Sequence, residues 1–210
     1  MDALLRISRV IDGLTERLSG VIKVIVVLTI VAGFMNAALR YLGQSLQQTL
    51  ISNELIQIQW YLFSLLFLLG FPYILLHNVN VRVDFLYSKW GPRRRALVDF
   101  FGTILFLIPF CILALYVSFN PVMTAFGRLP DGTFGEWEVS SDAGGLPLAP
   151  LKSLMLVGFL LLLIQAFSQL IKYLAILIGH REVEDAVMVA ETDQAEAEAL
   201  ARRLEAEGKR

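Results

Sequence analysis

Residues 55–95 read LIQIQWYLFSLLFLLGFPYILLHNVNVRVDFLYSKWGPRRR. The first half, Leu55 to Leu76, contains no charged residue. It is long enough to cross the hydrocarbon core of a bilayer, ~30 Å thick, which takes about 20 helical residues. The second half turns at once to histidine, arginine, aspartate and aromatic side chains. A greasy run that ends this way describes a helix leaving lipid for the headgroup layer, where amphipathic rings and positive charges are favoured.

The rest of the chain fits that reading. Of its 210 residues 56% are hydrophobic and 18% charged, with a mean hydropathy of +0.64, well outside the range of an ordinary soluble domain. Further apolar runs of spanning length lie at about 21–42, 98–119 and 151–178. The expected fold class is therefore an all-α membrane protein of four transmembrane helices. It divides into an N-terminal segment 1–20, a membrane domain 21–178 and a charged tail 179–210. The first span carries Lys23 and runs on to Arg40 without a small-residue cleavage pattern, so it is expected to stay in the mature chain.

Orientation follows from the positive charges of the short connections, which are retained in the cytoplasm. Arg6, Arg9 and Arg17 precede the first span, and no Lys or Arg occurs from Leu42 to Asn53. Between the second and third spans come Arg82, Lys89, Arg93, Arg94 and Arg95. The connection Asn120 to Pro150 sets Arg128 against Asp131, Glu136, Glu138 and Asp142. Both termini are thus expected in the cytoplasm, with Arg93, Arg94 and Arg95 as topology anchors that also attract anionic lipid headgroups.

Two flanking segments invite a helical reading. Leu4, Ile7, Ile11, Leu14 and Leu18 recur at spacings of three and four with Arg6, Arg9, Asp12 and Glu16 between them, the pattern of an amphipathic helix leading into the first span. Val81 to Trp90 reads as an interfacial segment along the inner surface, with a solvated loop as the plainer alternative. In the tail, Glu198 with Arg202 and Arg203 with Glu207 give opposite charges at i,i+4, as in a soluble helix or a partly disordered end.

Polar residues inside spans are costly in lipid, so each needs a reason. Asn36 and Arg40 share a face of the first span, Glu54, Gln57 and Tyr61 one of the second, and Gln165, Ser168, Gln169 and Lys172 one of the fourth. Such faces are expected to meet protein. Arg40 and Glu54 fall near the outer boundary of consecutive spans, where they could pair with each other or reach water separately.

No phosphate loop, metal-ligand spacing or nucleophile with its base is present, which speaks against an enzyme and against a resident cofactor or metal. Nothing points to nucleic acid. Cys111, the one cysteine, excludes an intrachain disulfide. His77 and His180 stand at the inner ends of spans, which leaves a haem- or quinone-associated anchor of a respiratory enzyme as an alternative, and a generic membrane assembly factor as another.

The run NELIQIQWYLFSLLFLLGFPYILLHNVNVRVDFLY from Asn53, with Glu54, Trp60, Leu69-Gly70 and Asn80-Val81-Arg82-Val83-Asp84, resembles the DctQ-like small membrane subunit of tripartite ATP-independent periplasmic (TRAP) transporters. Asn80 stands where many relatives have histidine. GGLPLAPLK with GFLLLLIQAFSQLIK, Gly144 to Lys172, resembles the subgroup named for 2-oxo acids, mannitol or chloroaromatic compounds, without the tryptophan usual between the prolines. The resemblance implies a bacterial inner-membrane scaffold beside a large multi-span subunit, in ion-gradient-driven uptake of an organic acid delivered by a periplasmic binding protein. Taken with the polar faces of the spans, it gives interface or structural roles to Asn36, Arg40, Glu54, Gln57, Trp60, Arg82, Asp84, Gln165 and Gln169, and it leaves the substrate unnamed.

Overall fold

The computed structural model describes residues 1–47, 53–78, 90–141 and 145–180. Its helices are α1 (Asp2–Leu46), α2 (Asn53–Leu76), α3 (Pro92–Gly102), α4 (Ile108–Ala125) and α5 (Leu148–Ile178). A π-helical turn, Thr103–Leu107, joins α3 to α4. Among the described residues, four stretches are long and apolar enough to cross a membrane: α1, α2, α5 and the continuous run from Arg93 to Ala125. The interfacial segment expected over 81–90 and the tail beyond His180 lie outside the described residues, apart from Trp90.

The N-terminal segment and the first span form one uninterrupted helix of 45 residues. At 1.5 Å per residue it is about 67 Å long, more than twice the ~30 Å hydrocarbon core. Neither Gly13 nor Gly20 breaks it, because its N-terminal half is held by packing on α5 rather than by propensity alone. Helix α5 is the hub: it touches α1, α2, α3, the π turn and α4, whereas α1 otherwise packs on α2.

Prolines shape two spans. Pro109 has no N–H to give the carbonyl four residues back. The ladder widens just before it, and the N–H of Ile108 donates to the carbonyl of Thr103, five residues away. In α2, Pro72 likewise cannot donate to the carbonyl of Leu68. Gly158 of α5 sits against that carbonyl: a Cβ there would lie 3.1 Å from the Leu68 oxygen and 3.0 Å from the Leu68 Cβ. The hydrogen in place of that side chain lets α2 and α5 approach, as small residues do between helices in lipid.

The connection between α4 and α5 folds back on itself. Gly127, at φ +85°, sits under the strand-like turn, and a Cβ on it would fall 2.5 Å from the Gly135 oxygen. The N–H of Gly135 donates to the Gly127 carbonyl at 2.8 Å, and that of Glu138 to the Ala125 carbonyl at 3.0 Å. Isolated bridges pair Arg128 with Phe134 and Val139 with Pro147. Trp137 packs edge-on against Phe126, their centroids 5.3 Å apart. This cap is tied to α2, where Gln57 Oε1 accepts the N–H of Leu146 at 2.7 Å and the Tyr61 hydroxyl donates to the Pro147 carbonyl.

Candidate functional site

The polar residues of α1 and α5 converge at the end of the bundle where α2 finishes. Ser8, Asp12, Thr15 and Ser19 recur at spacings of four, three and four, so they share one helical face. From that face Ser8, Asp12 and Thr15 meet Gln165, Ser168 and Lys172 of α5. Asp12 is the focus: Oδ1 accepts from Gln165 Nε2 at 2.9 Å and from Ser168 Oγ at 2.7 Å. Its Oδ2 meets Lys172 Nζ at 2.7 Å, the two side chains being 20% and 19% exposed.

The proton directions follow from the chemistry. A carboxylate only accepts, so Ser168 spends its one hydroxyl proton on Asp12, and Ser8 donates to Ser168 Oγ at 2.8 Å. The Gln165 amide turns its nitrogen to Asp12 and its oxygen to Thr15 Oγ1, which donates at 2.7 Å. Gln169 Nε2 donates to the carbonyls of Leu75 at 2.8 Å and Leu76 at 3.1 Å, capping the last turn of α2, where the Leu75 carbonyl also accepts the Asn78 N–H at 3.3 Å. Glu16 of α1 meets His77, just past α2, at 2.7 Å. Three sets of polar contacts thereby join three helices: the Asp12 cluster ties α1 to α5, Gln169 ties α5 to α2, and Glu16 with His77 ties α1 to the end of α2.

The residues singled out from sequence separate into three groups. Gln165 and Gln169 are buried among these contacts, and Gln57 is buried under the loop between α4 and α5. Asn36 is half-buried and donates to Gln59 Oε1 of α2 at 3.4 Å. Arg40 and Glu54 are both exposed and do not pair with each other, because α1 and α2 present them outward rather than across their seam. Trp60 also points outward, 70% exposed. Arg93 and Arg94 are exposed at the start of α3, while Arg95 turns back to donate to the Trp90 carbonyl at 2.9 Å. Arg82 and Asp84 lie outside the described residues.

Sequence reasoning missed the partners on α1. It read residues 4–18 as an amphipathic helix by their leucine-isoleucine stripe and assigned the hydroxyls between them no role. In the structure Leu4, Ile7 and Leu14 are exposed, and Ser8, Thr15 and Ser19 are buried. The hydroxyl spacing 8, 15, 19 with Asp12 was the available signal, and α5 carries the complementary stripe at 165, 168, 169 and 172. Neither stripe names its mate until the helices are docked.

The chain matches the family model described as tripartite ATP-independent periplasmic transporters, DctQ component, over residues 29–175. It belongs to the DctQ family. No curated protein and no solved structure matches it. This DctQ chain is accordingly a small subunit of a TRAP transporter, a transporter component rather than a member of an enzyme family. Four helices able to cross a bilayer make it a multi-pass inner-membrane protein. The matched region begins after the Ser8 to Ser19 stripe and includes the whole polar face of α5.

Proposed function

We propose that this DctQ subunit is a scaffold for the large membrane subunit in ion-gradient-driven uptake of an organic acid, delivered by a periplasmic binding protein, with both termini in the cytoplasm. The subgroup named for 2-oxo acids, mannitol or chloroaromatic compounds is the one its external loop resembles. The observation that carries the scaffold reading is how the polar side chains of the spans are used. Gln165, Ser168, Gln169 and Lys172 bind α1 and α2, Gln57 binds the outer cap, and Asn36 binds Gln59. A transporter site of its own would keep such groups facing a cavity at the bilayer midplane. Here they are spent on holding helices together.

The exposed pair of unlike charges, Arg40 on α1 and Glu54 on α2, is a surface that a neighbouring membrane subunit covers in this reading. Co-expression with the large subunit and purification in mild detergent tests it. The two proteins are expected to elute together, and charge reversal at Arg40 or Glu54 is expected to weaken the complex or its transport while membrane insertion stays intact. A stable lone species, with uptake of the acid surviving deletion of this subunit, would show the reading to be wrong.

A further inference from the structure

The inner arm of α1, residues 2–20, presents three sectors at 100° per residue. Ser8, Asp12, Thr15 and Ser19 occupy about 60° of arc against α5. Leu4, Ile7, Ile11, Leu14 and Leu18 fill about 80° beside them, and Leu4, Ile7 and Leu14 of that stripe are exposed. Arg6, Arg9 and Arg17 take the far side, and all three are exposed. Of the arm's acids, Asp12 is held by Lys172 and the half-exposed Glu16 meets His77, while Asp2 is exposed within the arginine sector. What the arm shows outward is an apolar stripe and a sector of three arginines with one aspartate among them.

Its depth is fixed by α5. Gln169, one residue from the Ser168 that binds Ser8 and Asp12, caps Leu75 and Leu76, where α2 ends. The arm therefore lies where α2 leaves the hydrocarbon and extends beyond it, at headgroup level. An apolar stripe beside a basic face at that depth is the pattern of a helix lying in the membrane interface.

We propose that residues 2–20 form an anionic-phospholipid binding surface of the inner leaflet, with Leu4, Ile7 and Leu14 entering the acyl boundary and Arg6, Arg9 and Arg17 taking headgroup phosphates. Arginine suits this because its planar fork matches phosphate oxygens in pairs. The polar network then has a purpose beyond stability, since it sets the rotation of α1 that turns the stripe toward lipid. The proposal rests on the cytoplasmic N-terminus put forward above. A reversed chain would be revealed by a topology reporter, whereas failure of the lipid proposal shows in lipid binding by a correctly oriented one.

The test uses the full chain without the large subunit, in mild detergent and in nanodiscs. Native mass spectrometry compares retention of phosphatidylglycerol with phosphatidylcholine by the wild type, R6Q/R9Q/R17Q and R6K/R9K/R17K. A basic residue near an anionic surface contributes about fivefold in binding, so the glutamine variant is expected to lose roughly a hundredfold in preference and the lysine variant to keep most of it. Arg93, Arg94 and Arg95 are left intact to hold the orientation. A spin label at V10C in a C111S background reads depth in nanodiscs of phosphatidylcholine with and without phosphatidylglycerol. It is expected to move toward lipid when the anionic lipid is present. If the glutamine variant does not insert, the wild type in about 1 M salt, where screening acts within ~3 Å, is expected to lose its preference. Equal retention of both lipids overturns the proposal, as does a preference untouched by the substitutions or by salt. A label shielded only when the large subunit is added also overturns it, because a protein then covers the stripe.

Discussion

Gly158→Ala is the sharpest single test of how the bundle is assembled. The added methyl would stand 3.0 Å from the Cβ, 3.1 Å from the carbonyl oxygen and 3.4 Å from the carbonyl carbon of Leu68. Carbon atoms in ordinary contact keep about 3.5–4.0 Å, so α2 and α5 must part by about 0.5 Å. The atoms in the way are backbone and Cβ, so no side-chain rotation relieves the clash. Overpacking of this kind costs about 1–3 kcal/mol, and alanine returns up to ~1 kcal/mol through its better helix propensity. The net loss is about 1–2 kcal/mol, which in a chain of this size lowers the melting temperature by roughly 3–6 °C. Gly70→Ala in α2 is the matched control, because nothing lies within 4 Å of its Cβ position. Thermal unfolding of the purified chain in one mild detergent is the assay. Gly158→Ala melting together with Gly70→Ala would refute the close approach of the two helices.

Further consequences concern charge and topology. Lys172→Met strips Asp12 of its cation and is expected to cost about 3 kcal/mol, at the low end for broken buried pairs because both groups keep some exposure. The D12N/K172M double variant is expected to melt above K172M, and a double variant no better than the single one would count against the ion pair. In the loop between α4 and α5, the Thr133 hydroxyl first, and then its N–H, hold the Asp131 carboxyl below its ordinary value. A depressed carboxylate stabilises the turn above the unfolded pKa, about 3.9, and that contribution is lost as pH falls through the lower folded value. Thr133→Ala is expected to raise the Asp131 pKa part of the way back, read by NMR titration of the carboxyl carbon. A reporter fused after Gly91 is expected in the cytoplasm and one after Gly132 in the periplasm; the reverse would overturn the orientation.

Much of the architecture was written locally. In lipid every backbone N–H and C=O must be satisfied within its own segment, so an apolar run of sufficient length commits to a helix whatever lies beside it. Leu55 to Leu76 emerges as α2 with two residues added at its start, and the run expected over 151–178 emerges as α5. The likeness to the DctQ family was legible for a similar reason, since its pattern follows the order of residues along the helices. On α5 the polar stripe Gln165, Ser168, Gln169 and Lys172 was visible as a face that required a protein mate.

Which mate it required was decided only by the tertiary structure. Rotating α1 by about 100°, the angle between neighbouring residues, exchanges one sector for another. The sequence does not state whether leucines or hydroxyls face α5. Apolar stripes gain nothing from pairing in lipid or at its edge, whereas Asp12, Ser8 and Thr15 are costly unless they find partners, and the docked register supplies Lys172, Ser168 and Gln165. Arg40 and Glu54 show the converse. Their places along consecutive spans suggested a pair, but helix rotation turns both outward, so proximity along the membrane normal did not become contact. Gly158 and Pro72 were two unremarkable letters in two helices until packing placed the one at the carbonyl that the other had left without a donor.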